Sequence, residues 1–109
     1  MHKTNLWVNL AGLSGTSLKT LGRGNGFDIV SVDERGVVIR PHKSGTERMI
    51  ARGAFERAFD AIRSRGSLDL KAVRTFNEMN PVYIAAMLAQ LPCISWGSQP
   101  KILLRHITR

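Results

Sequence analysis

Carboxylates are scarce in this chain: eight Asp and Glu stand against sixteen Lys and Arg over 109 residues, a formal net charge of +8. An imbalance of that size points to nucleic acid, an acidic partner protein or an anionic membrane surface. Cysteine is nearly absent. With Cys93 alone there is no intramolecular disulfide and no thiolate-rich metal site, which fits a reducing cytoplasm, the expected location. Set between Pro92 and Ile94, it reads as a small buried apolar side chain. No apolar run approaches the roughly 18–20 residues that span a bilayer, so no membrane partner is expected. Met1-His2-Lys3 followed by Leu6 to Leu13 is interrupted by Asn9 and shows no small-x-small cleavage site, so it is not read as a leader. Aromatic residues make up 6%. Tyr83 and Trp96 are the only rings expected at the surface, too few for single-strand binding by serial stacking.

Chemistry-bearing clusters are also lacking. His2, His42 and His106 are far apart, and none has a second ligand at helical or hairpin spacing. A metal-dependent nuclease needs gathered carboxylates; Asp28, Asp33, Glu34 and Glu47 are the candidates, and Asp33-Glu34 is better explained by turn chemistry. No enzyme, cofactor or metal is expected.

What is present is a consistent α+β layout in one domain over 1–109: a poorly specified segment 1–26, a small antiparallel β-sheet over 27–51, and a three-helix winged-helix-like part with a C-terminal hairpin over 52–109. Leu6, Trp7, Val8 and Leu10 suit a short strand or a docking segment, and Ser17 to Leu21 one helical turn. Gly22-Arg23-Gly24-Asn25-Gly26 resembles a phosphate loop only superficially, because it leads into a strand and lacks the Lys-Ser/Thr pair; it reads as a connector. Phe27 to Val32 alternates, Asp33-Glu34-Arg35-Gly36 marks a turn, and Val37 to Arg40 resumes an extended run, giving a hairpin. Glu47 to Ala51 supplies a third strand. Phe55, Phe59 and Ile62 at i, i+4, i+7 set a helix ended by Gly66. Ser67 or Asp69 caps a second helix with Leu70, Val73 and Phe76. Asn80-Pro81 starts a third, predicted to run to Leu91 before Pro92. Ile94 to Trp96 and Lys101 to Ile107 close a hairpin. Met49, Met79 and Met87 are expected as core fillers.

Charge is unevenly spread. Residues 1–34 are neutral overall, 35–74 carry +6, 75–91 carry only Glu78, and 92–109 carry +3. Two arrangements fit. In one, Lys71 and Arg74 with Lys101 and Arg105 straddle a nucleic-acid backbone while Asn77, Asn80, Tyr83 and Gln90 of the third helix meet base edges; Asn and Gln can donate and accept in one plane. In the other, the third helix is core, and contact falls to the Arg40-to-Arg52 strip with Arg40, Lys43 and Arg48, a loop able to wrap phosphate.

Phe27-Asp28 through Val37, Ser44-Gly45, Arg48-Met49-Ile50, Glu56, Ala58 and Asn80-Pro81-Val82-Tyr83-Ile84-Ala85-Ala86 resemble a pattern in small uncharacterised bacterial proteins, often from mobile DNA. In these, a hairpin and a Ser-Gly-x-x-Arg-x-Ile-x-Arg stretch lead into a helical segment ending Asn-x-x-Tyr-Ile-x-Ala. The resemblance covers about residues 27–92 and implies the same winged-helix-like layout.

The expectation is a non-enzymatic nucleic-acid-binding module, double-stranded DNA first, serving as a regulator or mobile-element accessory protein. Six neutralised phosphates would give a salt slope of about −5. The alternative is a protein-interaction or dimerisation module on the same scaffold, with the segment around Trp7 as a homodimer seam.

Overall fold

The structure, a computed structural model, describes residues 3–107; His2 and Arg109 lie outside them. The chain begins with α1 (Lys3–Ala11), a helix that docks on the core and not the short strand that was the other expectation. Leu6 and Leu10 stand at i, i+4 and are fully buried, with Trp7 beside them. That pair is a single helical repeat, too short to show a period in sequence. Trp7 packs edge-on against Phe55, its Nε1 donates to the Asp33 carbonyl, and Arg52 lies over its ring. Trp7 is thus engaged within its own chain, while Val8 beside it is exposed.

Residues 17–19 form a strand, not the expected helical turn. This β1 (Ser17–Lys19) pairs with β2 (Gly26–Asp33), setting Leu18 against Phe27. The glycine-rich turn between them is closed by reciprocal bonds: Thr20 N–H donates to the Asn25 carbonyl, and Asn25 N–H donates to Thr20 Oγ1. The expected hairpin follows, with β3 (Gly36–Pro41) antiparallel to β2. At its turn Asp33 Oδ1 accepts from the Arg35 N–H at 2.8 Å, the local bond that makes Asp a turn former. A Cβ on Gly36 would stand 2.1 Å from the Ile50 carbonyl oxygen, so only glycine lets β4 (Arg48–Ala51) approach β3 there. The sheet therefore has four strands in the order β1-β2-β3-β4, and begins at residue 17, not 27.

The helical part starts with α2 (Arg52–Arg65), which buries Ala54, Phe55, Ala58, Phe59, Ala61 and Ile62 on one face. Gly66 ends it in the left-handed conformation (φ 84°) with its N–H on the Ile62 carbonyl. Next come β5 (Ser67–Asp69) and α3 (Leu70–Arg74). Asp69 is the cap, accepting from Ala72 N–H at 2.8 Å. Phe76 falls beyond this helix. After it, α4 (Pro81–Leu88) ends three residues before the expected Leu91, and Leu91 N–H closes a tighter turn onto the Leu88 carbonyl. Asn80 precedes α4 without a side-chain capping bond. The chain closes with β6 (Ile94–Gly97) and β7 (Leu103–His106), and the second sheet is antiparallel in the order β5-β7-β6.

One core serves both sheets. Phe27, Ile29, Val37, Ile39 and Ile50 from the first meet Phe55, Phe59 and Ile62 of α2 and Ile84, Met87 and Leu88 of α4 in a single buried cluster. Met49 and Met79, expected inside, are exposed; Met87 is buried.

Candidate nucleic-acid interface

The third helix of the three-helix part, α4, is the natural candidate for insertion into a groove, and its surroundings decide its use. Pro81, Ile84, Ala85, Ala86, Met87 and Leu88 are all buried. Asn80 is 7% exposed; its Oδ1 accepts from Arg48 Nη1 at 3.4 Å and its Nδ2 donates to Asn77 Oδ1. Asn77 Oδ1 also accepts the Met79 and Asn80 backbone N–H groups, which fixes the approach to the helix. Tyr83 is half-buried, its ring edge-on to Phe27 at 5.0 Å with the Arg48 guanidinium 5.7 Å from its centroid. Arg48 can do this because it shares the inward face of the first sheet with Ile39 and Ile50. Asn80, Tyr83 and Arg48 thus join the two halves of the molecule. Of the groove-reading candidates, Gln90 is exposed, with Nε2 on the Ala86 carbonyl.

The Arg40-to-Arg52 strip is largely self-satisfied. On the outward face of the first sheet Asp28 accepts from Ser17 Oγ at 2.6 Å and from Arg40 Nη2 at 3.2 Å, and lies 2.7 Å from His42 Nε2. Arg40 also pairs with Glu47. The Ser17 hydroxyl, then His42 and Arg40, hold the Asp28 carboxyl down to about 2. Ser, Asp and His meet here, but the carboxylate is the centre: Ser17 donates to Asp28, not to the imidazole, so His42 is not placed to take its proton, and the lowered carboxyl is a weak base. Lys43 stands exposed in the adjoining turn.

Around α3 the cations are differently disposed. Lys71 and Arg74 are exposed and make no ion pair among the described residues. Lys101 pairs with Asp69 at 2.8 Å; that hydrogen bond and the Ala72 N–H lower the Asp69 carboxyl below its usual range. Three clefts adjoin here. One of about 470 Å³ is lined by Lys71, Arg74 and Phe76 to Glu78. A second, about 260 Å³, lies between Asp69, Lys71 and Lys101. The third, about 410 Å³, runs from Arg74 and Tyr83 to Thr20, Arg23 and Asn25 of the glycine-rich turn. Lys71 is shared by the first two and Arg74 by the first and third, so a basic rim links the three clefts beside the helix.

Arg23 is the residue that sequence reasoning missed. It stands in a turn read as a mere connector, whose Gly22 is seated close to Ile102, a Cβ there meeting Cδ1 at 2.7 Å. Arg105 lies apart, on the outward face of the second sheet between Ser67 and Ser95. His106 is half-buried with an unpartnered Nε2, near Asp60, Arg63 and Ser64.

No group of three or more His, Cys, Asp or Glu side chains gathers among the described residues to hold a metal ion, and no helix among them is long and apolar enough to cross a membrane. No family model, curated protein or solved structure matches this chain.

Proposed function

We propose that this protein is a non-enzymatic nucleic-acid-binding module that grips phosphate backbone, double-stranded DNA first, through the rim around α3. The observation that carries this reading is the opening of Lys71, Arg74 and Arg23 onto adjoining clefts; of the two carboxylates that line these clefts, Asp69 is occupied by Lys101, and Glu78 forms no ion pair with Lys71 or Arg74. The order helix, strand, two helices and hairpin, with the last strand between the other two, supports a winged-helix-like description of residues 52–107. The mode differs from groove insertion. With α4 enclosed, phosphate contacts supply affinity and position but little base discrimination.

Three open cations imply a salt slope of about −3, at about −0.9 for each phosphate, in place of the −5 expected from sequence. Anisotropy with a random duplex of about 25 base pairs at about 50 and 200 mM salt tests this, a single strand alongside. Arg74→Ala should make the slope shallower by about 0.9 for every duplex sequence alike, whereas Arg40→Ala, already held by Asp28 and Glu47, should leave it unchanged. Absence of duplex binding at low salt sinks the reading. A regulator or mobile-element accessory role belongs to the same proposal.

The second reading, an interaction module, is favoured by one observation: the outward face of the first sheet carries half-buried Val30 and Val38 beside exposed Met49, on the open-edged β4. It becomes the working reading if duplex binding is absent.

A further inference from the structure

The third cleft differs from its neighbours in chemistry. It has about 410 Å³, within the roughly 300–1,000 Å³ of small-molecule sites, and is more enclosed than the open hollow shared by Lys71 and Arg74. Its apolar wall comes from Leu70 and Ile102, with Tyr83 at one side. Its charge comes from Arg23 and Arg74 alone, because no carboxylate lines it. Neither arginine has an ion-pair partner among the described residues. The Asn25 backbone closes the glycine-rich turn, leaving its side-chain amide exposed and free to donate and accept.

Two guanidiniums suit one phosphate, since their N–H forks match its oxygens and carry full charge at any physiological pH. An apolar wall with a single amide suits a planar heterocycle with a hydrogen-bonding edge. Simple anions would leave the wall unused, and a neutral ligand would leave two arginines unanswered. We infer that this cleft binds one unpaired nucleotide unit, its phosphate between Arg23 and Arg74 and its base against Leu70, Ile102 and Tyr83. The choice of ligand rests on the nucleic-acid reading above. The source of the unit is a phosphorylated strand end or a free nucleoside monophosphate.

The test uses the full chain, titrated by calorimetry with adenosine 5′-monophosphate, adenosine and inorganic phosphate. Short single strands with and without a 5′-phosphate are titrated alongside. The monophosphate should bind saturably, and adenosine and inorganic phosphate each at least about ten-fold more weakly, the worth of one charge-assisted contact. Arg23→Ala and Arg74→Ala, both exposed positions, should each weaken the monophosphate about ten-fold with unchanged thermal melting. Lys71→Ala lines the neighbouring clefts only and should weaken duplex binding while leaving the monophosphate untouched.

A 5′-phosphate that tightens single-strand binding makes a strand end the source; equal binding of both strands, with the monophosphate bound, makes it the free nucleotide. No saturable monophosphate binding, or binding indifferent to Arg23 and Arg74, overturns the inference. So does inorganic phosphate binding as tightly as the monophosphate. Duplex binding that persists through such a failure leaves the rim reading standing. Loss of duplex binding with the monophosphate retained removes the rim reading alone.

Discussion

Arg40 and Arg74 come from the same basic stretch of sequence, yet they end in opposite electrostatic settings. On the first sheet Arg40 bridges Asp28 and Glu47, with Ser17 and His42 completing the knot. At the end of α3, Arg74 faces open clefts, with Arg23 and Lys71 close by. The difference follows from secondary structure. Antiparallel pairing places Ser17, Asp28 and Arg40 directly across from one another, so opposite charges on neighbouring strands meet at contact distance. On the single turn of α3, Lys71 and Arg74 at i, i+3 share a side, and the acid just before them is taken as a helix cap. A net charge therefore says little about a binding surface until pairing is subtracted.

The largest expected effect is on the seam that holds the two regions together. Phe27 is fully buried and edge-on to Tyr83 of α4, so Phe27→Ala should cost about 3–5 kcal/mol in urea unfolding. A loss below about 1 kcal/mol would mean that the sheet does not help to hold α4. Gly36→Ala comes next, at about 1–3 kcal/mol, because β4, with its Ile50 carbonyl, must move away from β3 to admit a methyl group. Its effect should be confined to the first sheet, read as faster amide exchange in β3 and β4 with phosphate binding unchanged.

Asp69 sharpens the contrast from the other side. Asp69→Ala loses both a cap and the Lys101 partner and should cost about 1 kcal/mol, whereas Asp69→Asn retains most of the cap. Both free Lys101, so both should steepen the salt slope of duplex binding by up to about 0.9. The smallest effect concerns the carboxylate knot. Its folded value, about 2, lies below the ordinary 3.8, so it stabilises the fold above 3.8 and loses that contribution as pH falls from 3.8 towards 2. Asp28→Asn should accordingly flatten the fall of the denaturation midpoint across that window. An unchanged slope would show that the knot does not hold the Asp28 carboxyl down in the folded protein.

Legibility in the sequence followed the range of the signal. The β2–β3 hairpin, α2 with its Gly66 stop and the closing hairpin rest on local periodicity and turn chemistry, and all three stand where expected. The helical form of α1 and the strand β1 are not legible because they depend on partners far along the chain, Phe55 and Phe27, and not on their own patterns. β5 is three residues long and exists only through β7. For the candidate site, Lys71 and Arg74 were identified from charge and helix position. Asn80 is expected outward but is buried against Arg48, which sequence does not reveal, while Tyr83 packs one edge on Phe27 and still lines a cleft. Arg23 was overlooked for the converse reason: a glycine-rich turn gives no hint of the surface it will be folded against.

The strand order of the second sheet also sets a schedule for synthesis. In the first sheet each strand pairs with its neighbour in sequence, so pairing can proceed as the chain leaves the ribosome. β7 is the middle strand of the second, the sole partner there of both β5 and β6, and Ser67 waits for Arg105. At about 5–20 residues per second the interval is on the order of seconds. Through that interval Leu68 and Ile94, buried in the finished protein, lack their β7 neighbours. A nascent chain of this protein is therefore most open to chaperones, and to mispairing with its own kind, along β5 and β6.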